Sequence, residues 1–256
     1  LSSLDQWFLA GGLRVTALLL LPYRYWPFRL LGDIGALLAL RLPREAYDGT
    51  HWSYFSPLLL PVVMTLVPLL VRQRLNSPAS VAKWLPVLLI LSAAWGAASN
   101  VFVNELLKGP PSINSLDMFV RVTVGYYLGS LIVILPFLLW LLPNAFPGTF
   151  RTYVRDALFS LVTFCLIYSA GAWSQNLGSE VRQGILMLMI VPALGMTLQH
   201  GWRGAALGIT ALMIAIWLVL PHFNFESAHD ESIFVVQKVL ALLTAVMLPL
   251  GWIISV

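Results

Sequence analysis

Apolar runs of about 17 to 25 residues, the length that crosses a bilayer as a helix, recur from one end of the chain to the other. The breaks between them are short and hold the charges, prolines and glycines. Read between those breaks, the pattern predicts about nine helical segments, at roughly 5–22, 27–42, 54–71, 84–107, 118–142, 154–176, 182–199, 203–220 and 233–254. The second run is short for a full crossing, so a tilted or half-crossing helix there, leaving about eight complete crossings, is the alternative. No long polar stretch remains for a soluble domain. Residues 1–256 therefore read as one all-α, polytopic transmembrane helix bundle with 8–9 membrane helices.

Composition agrees and narrows the class. With 59% hydrophobic and 10% charged residues and a mean hydropathy of +0.84, the chain lacks the polar surface that a water-soluble globule needs. Its one cysteine, Cys165, lies inside an apolar run. It cannot form an intramolecular disulfide and reads as a small packing residue. The start, "LSSLDQWFLAGG", has no basic region and no small-residue cleavage site, so no signal peptide is expected in this stretch. The chain starts without Met and ends, "LPLGWIISV", in an apolar segment. These ends lead us to expect a longer polypeptide, with one further helix before Leu1 and a cytoplasmic output domain after residue 256.

Charge sets the expected orientation, because cytoplasmic loops retain Lys and Arg. Alternate connections hold Arg24 and Arg29, then Arg72, Arg74 and Lys83, then Arg151 and Arg155, then Arg203. The other connections hold Glu45 and Asp48, Glu105 and Asp117, Glu180, and Glu226, Asp230 and Glu231, with some basic residues mixed in. The basic set is expected to be cytoplasmic, with the C-terminus inside and Leu1 outside. The formal net charge of +4 is accounted for by those inner loops and gives no case for nucleic acid.

Several polar residues stand out within the spans. Arg14 and Asp33 lie deepest in apolar sequence, on either side of a Pro22–Pro27 corner, and at 1.5 Å per residue each is roughly 9 to 12 Å from it. At similar depth they could pair, since an unpaired charge at mid-bilayer costs about 2.5–3.5 kcal/mol. A structural ion pair and a ligand site both remain open. The fourth run carries Ser92, Trp95, Ser99, Asn100 and Asn104 along neighbouring faces. Hydrogen bonding between helices explains such residues without a ligand, while a cavity lined by Trp95, Asn100, Arg121, Tyr126 and Tyr127 is the functional reading. Pro57, Pro61 and Pro68 fall within about 40° of one another on a helical wheel, which predicts a repeatedly kinked helix. Gly204 and Gly208 have the spacing that lets helices pack closely. The loop "PHFNFESAHDES" matches no closed zinc pattern, so no metal is expected. No P-loop, HExxH, GxSxG or other catalytic set is present in the sequence. No catalytic residue and no cofactor are assigned.

The order of features in "WFLAGGLRVTALLL", "RYWPFRLLGDIGALL", "VGYYLGSLIVILPFLLWLL" and "LQHGWRGAALG" resembles the bacterial membrane-associated sensor family, first class, a MASE-type integral membrane sensory domain. Trp7, Gly12, Trp26, Pro27, Gly32, Gly129 and Pro136 occupy the expected places, whereas Leu9 stands where a Pro is usual and Tyr127 replaces a polar or acidic residue. The resemblance implies a sensory or partner-binding input domain. It places that domain ahead of a cytoplasmic output domain, most often a histidine kinase or a diguanylate cyclase.

The leading expectation is thus a signal-input domain of the bacterial inner membrane, on a sensor histidine kinase in the first instance and a diguanylate cyclase in the second. It binds a small molecule or a membrane protein partner and works as a homodimer in the full-length protein. The rival readings are a small secondary transporter and a membrane scaffold. Pro249 and Gly251, near the inner end of the last run, are the expected signal-relay positions, because Pro249 removes a helix hydrogen bond just above the exit.

Overall fold

The Pro22–Pro27 corner is a single 3-10 turn, Tyr23–Tyr25, between helix α1 (Leu9–Leu20) and helix α2 (Trp26–Arg41). Pro27 suits the first turn of α2, where a backbone N–H would have no partner in any case. The Trp26 indole N–H donates to the Leu21 carbonyl at 3.2 Å, and the Tyr23 and Trp26 rings lie 5.0 Å apart. Two aromatic rings and one hydrogen bond therefore fix the corner. With 16 residues α2 is about 24 Å long, short of the roughly 30 Å hydrocarbon core, as its sequence indicates.

The computed structural model describes residues 9–72, 78–108, 115–141, 150–173, 181, 184, 187, 188, 190–219 and 230–255. Every regular element among them is helical. After α2 come α3 (Glu45–Asp48), α4 (Thr50–Met64), α5 (Leu66–Arg72), α6 (Pro78–Lys108), α7 (Ser115–Leu141), α8 (Phe150–Trp173), α9 (Ile190–Val219) and α10 (Asp230–Ser255). Among the described residues three segments are long and apolar enough to cross a membrane: Trp84–Leu107, Leu116–Pro136 and Gln237–Ser255. Phe28, Leu40, Phe159, Leu166 and Leu242 are all exposed, and outward apolar faces of that kind suit lipid. The acidic loop before α10 lies outside the described residues except for its last few positions.

The run expected at 54–71 is two helices, α4 and α5, divided at Thr65. Pro57 and Pro61 stand inside α4, and each removes one backbone donor. The division leaves carbonyls to be satisfied by other groups. The Trp95 indole on α6 donates to one of them, the Val63 carbonyl, at 2.8 Å.

The runs expected at 182–199 and 203–220 meet at Gly201, which sits inside α9 at φ 58°, ψ −136°. Eight residues of straight helix would separate Met196 from Gly204 by about 12 Å. Instead, a Cβ added to Gly204 would overlap the Met196 carbonyl oxygen, and one added to Gly208 would meet the Ala193 Cα at 3.2 Å. The two arms of α9 therefore fold back on each other at Gly201. The Gly204 and Gly208 pair lets them touch, which places this small-residue motif inside the chain. The part of the first arm before Ile190 lies mostly outside the described residues.

The chain divides into two compact units, Leu1–Asn76 with Val87–Ser130, and Ser77–Pro86 with Leu131–Val256. In the first, α2 packs on α4 and α1 on α5, and Gly12 of α1 approaches the Gly129 carbonyl of α7 so closely that no Cβ would fit. In the second, α9 packs against α8 and α10. Hydroxyls inside the helices bond back to carbonyls one turn earlier, as Ser99 does to Trp95 at 2.8 Å, Ser130 to Tyr126 at 2.6 Å and Thr197 to Ala193 at 2.9 Å. A medium without water favours this arrangement.

Candidate functional site

In the first unit, the chemistry gathers around Asp33. Arg14 Nε donates to Asp33 Oδ1 at 2.9 Å, joining α1 to α2 across the corner. Arg29, four residues before Asp33 and hence on the same face of α2, brings Nη2 to 2.6 Å from Asp33 Oδ2. The side chains of Arg14, Arg29 and Asp33 are only 11%, 9% and 17% exposed. Two guanidinium groups thus share one carboxylate away from water, and the cluster keeps a net positive charge.

The second side of the cluster comes from α4, α6 and α7. Arg14 Nη1 lies 4.0 Å from the Met64 thioether sulfur, and the Tyr126 hydroxyl lies 3.8 Å from the same atom. Sulfur is a weak acceptor. The Tyr126 hydroxyl also lies within side-chain hydrogen-bonding range of Asn100 and Arg14, and its ring is buried. Gly11 of α1 faces that ring so closely that a Cβ there would overlap it. The absence of a side chain at Gly11 lets Tyr126 reach the charged cluster. Lower on α2, Arg41 stacks over the Trp52 ring at 4.5 Å and donates to Ser56 Oγ. This cation–π contact anchors α2 to α4.

In the second unit, the end of the last helix rests on the fold in α9. Gly201 departs from helical geometry, so the Trp202 N–H loses its intrahelical acceptor. That N–H donates instead to Ser255 Oγ at 2.8 Å, while the Ser255 hydroxyl donates to the Gly251 carbonyl at 2.8 Å. A Cβ on Gly251 would come within 2.9 Å of the Gly201 carbonyl oxygen and 3.0 Å of Ala205 Cβ. At the same fold, His200 Nε2 lies 2.7 Å from Asp156 Oδ2 on α8, and Arg155 pairs with the other carboxylate oxygen at 2.9 Å.

Comparison with family models decides the class, since the MASE1 model matches residues 1–256, the whole chain. The chain belongs to the MASE1 family. MASE1 is a family of membrane-associated sensory domains found in signalling proteins. No curated protein and no solved structure matches this chain.

Of the residues singled out by sequence in this MASE1 chain, the structure brings Arg14, Asp33, Asn100 and Tyr126 together. Trp95 belongs to the same unit, with its N–H engaged by Val63. Tyr127 is buried. Arg121 pairs with Asp117 one turn earlier on α7, at 2.7 Å and with both side chains more than one-third exposed. Gly251 lies against Gly201, whereas Pro249 faces outward. Arg29 and Met64 are members of the cluster that sequence reading passed over. The four-residue spacing from Arg29 to Asp33 is the signal that identifies Arg29; nothing in the sequence marks Met64.

Proposed function

We propose that this MASE1 domain is the input module of a bacterial inner-membrane signalling protein, with the Arg14–Asp33 cluster as its sensing site and the C-terminal end of α10 as its output. It crosses the membrane 8–9 times and delivers its C-terminus to the cytoplasm, a reading supported by the concentration of arginine in alternate connections. The signal is a small molecule or a membrane protein partner, received by Arg14, Asp33, Asn100 and Tyr126. Trp95, Arg121 and Tyr127 shape the surrounding helices. The output domain is a histidine kinase, or a diguanylate cyclase as the second choice, and it works as a homodimer.

One observation carries the relay half of this reading: the last helix ends on an irregular backbone position of its neighbour, with Ser255 filling the bond that Gly201 frees. Any change in the packing of α8 or α9 reaches the exit helix through that contact. A Ser255→Ala substitution removes the Trp202 contact and leaves the core unchanged. Losing a hydrogen bond of about 1 kcal/mol that favours one signalling state shifts the equilibrium about fivefold. Output activity of the full-length protein, measured in membranes at equal abundance, is expected to change by that order in Ser255→Ala. Unchanged output would remove the relay from the account.

A further inference from the structure

Arg29 is a buried charge whose donors are only partly used. Its side chain is 9% exposed, and its Nη1 has no hydrogen-bond partner among the described residues. Its only charge partner there, Asp33, is already held by Arg14, and Arg14 lies close enough for the two guanidinium groups to repel. A neutral ion pair plus a second buried guanidinium leaves one positive charge without a counter-ion among the described residues. A buried charge in that state is strongly disfavoured unless something pairs with it. In addition, Arg14 Nη1 lies 4.0 Å from the Met64 sulfur, a weak acceptor that an anionic oxygen would displace.

Position indicates which anion. Arg29 is three residues into α2, about 4.5 Å along the axis, beside the Tyr23 and Trp26 pair. Aromatic residues of this kind sit at the headgroup level of a bilayer. A guanidinium fork matches a phosphate or phosphodiester in two parallel bonds, which an ammonium cannot.

From this shared carboxylate and the excess positive charge it leaves, we infer that the Arg29–Arg14 pair binds a phosphate-type oxyanion, supplied either free or as the headgroup of an anionic lipid. Asp33 holds the two arginines in place and the anion takes the remaining charge. The inference rests on the cluster being the sensing site, and it adds the chemical class of the ligand.

The test uses the purified protein in a non-ionic detergent, with thermal unfolding followed by tryptophan fluorescence. Inorganic phosphate is titrated at constant ionic strength. In a second arm the protein is placed in phosphatidylcholine nanodiscs with and without phosphatidylglycerol. Wild type should gain Tm saturably in at least one arm, with the phosphate arm pointing to a free anion and the phosphatidylglycerol arm to a headgroup. Arg29→Gln should lower apparent anion affinity by at least about tenfold, the worth of one charge-assisted contact. Because this variant discards an uncompensated charge, its Tm without anion should equal or exceed that of wild type. Arg29→Lys, which keeps the charge and loses the fork, should fall between the two. The inference is overturned if wild type and Arg29→Gln respond alike, if neither responds in either arm, or if Arg29→Gln without anion unfolds as readily as Asp33→Asn. The sensing reading fails separately: anion binding with no effect on output would leave the site and remove its sensory role. A Tyr126→Phe effect on output without any anion response would do the reverse.

Discussion

Asp33→Asn is expected to be the most destabilising single change in the charged cluster, by about 3–5 kcal/mol, the loss typical of a buried ion pair stripped of one partner. The carboxylate is the common partner of Arg14 and Arg29, so its neutralisation leaves two mutually repelling guanidinium groups in a medium that solvates charge poorly. Arg14→Gln should cost less, because Arg29 still balances Asp33, although the bond between α1 and α2 is lost. Arg29→Gln should be nearly neutral. At roughly 2–4 °C per kcal/mol for a chain of this size, Asp33→Asn should unfold at least about 6 °C below wild type in detergent. The Arg14→Gln, Asp33→Asn double variant should lose clearly less than the sum of the single changes, as contacting residues do. Strictly additive losses, or equal losses for Arg14→Gln and Arg29→Gln, would contradict the shared-carboxylate geometry.

Gly201→Ala is the second large effect. At φ 58°, ψ −136° an L side chain is strained by about 1–3 kcal/mol. The new Cβ would also displace Ser255 Oγ and press on the Gly251 carbonyl oxygen at 3.2 Å, forfeiting the Trp202 bond at about 1 kcal/mol more. A total of roughly 2–4 kcal/mol is expected as a lower Tm in thermal unfolding. Gly195→Ala is the matched control, in the same helix with nothing within 4 Å of the added carbon. It should be neutral or stabilising by up to about 1 kcal/mol, since alanine favours helix over glycine. Equal behaviour of the two variants would mean that the fold at Gly201 is not as described.

What was legible in the sequence follows the range of the interactions. Helices were legible because apolar runs and their proline, glycine and charged breaks are local. The Pro22–Pro27 corner and the break between residues 199 and 203 lie where the chain marks them, whereas the run expected as one kinked helix at 54–71 divides at Thr65. The Arg14–Asp33 pair was legible because similar depth across a short corner limits where two charges can go. Two arginines on one carboxylate were not, because the charge pattern groups Arg29 with the loop arginines although it falls inside the run at 27–42, four residues before Asp33. The partner of Trp95 depended on which carbonyl a kink would free. Gly251 was noted for its position in the last helix, but its contact with Gly201 requires two helices far apart in sequence to meet.

If the state of the buried cluster sets the output, Tyr126→Phe should alter signalling without altering the fold. The substitution keeps the buried ring against Gly11 and removes only the hydroxyl facing Met64, Asn100 and Arg14. It should therefore change stability by no more than about 1 kcal/mol. The measurement is output activity of the full-length protein, wild type against Tyr126→Phe, in the same membranes at equal abundance and with unfolding temperatures compared in parallel. An output shift of about fivefold with Tm nearly unchanged is expected; indistinguishable output from two equally stable proteins would mean that the cluster does not set it.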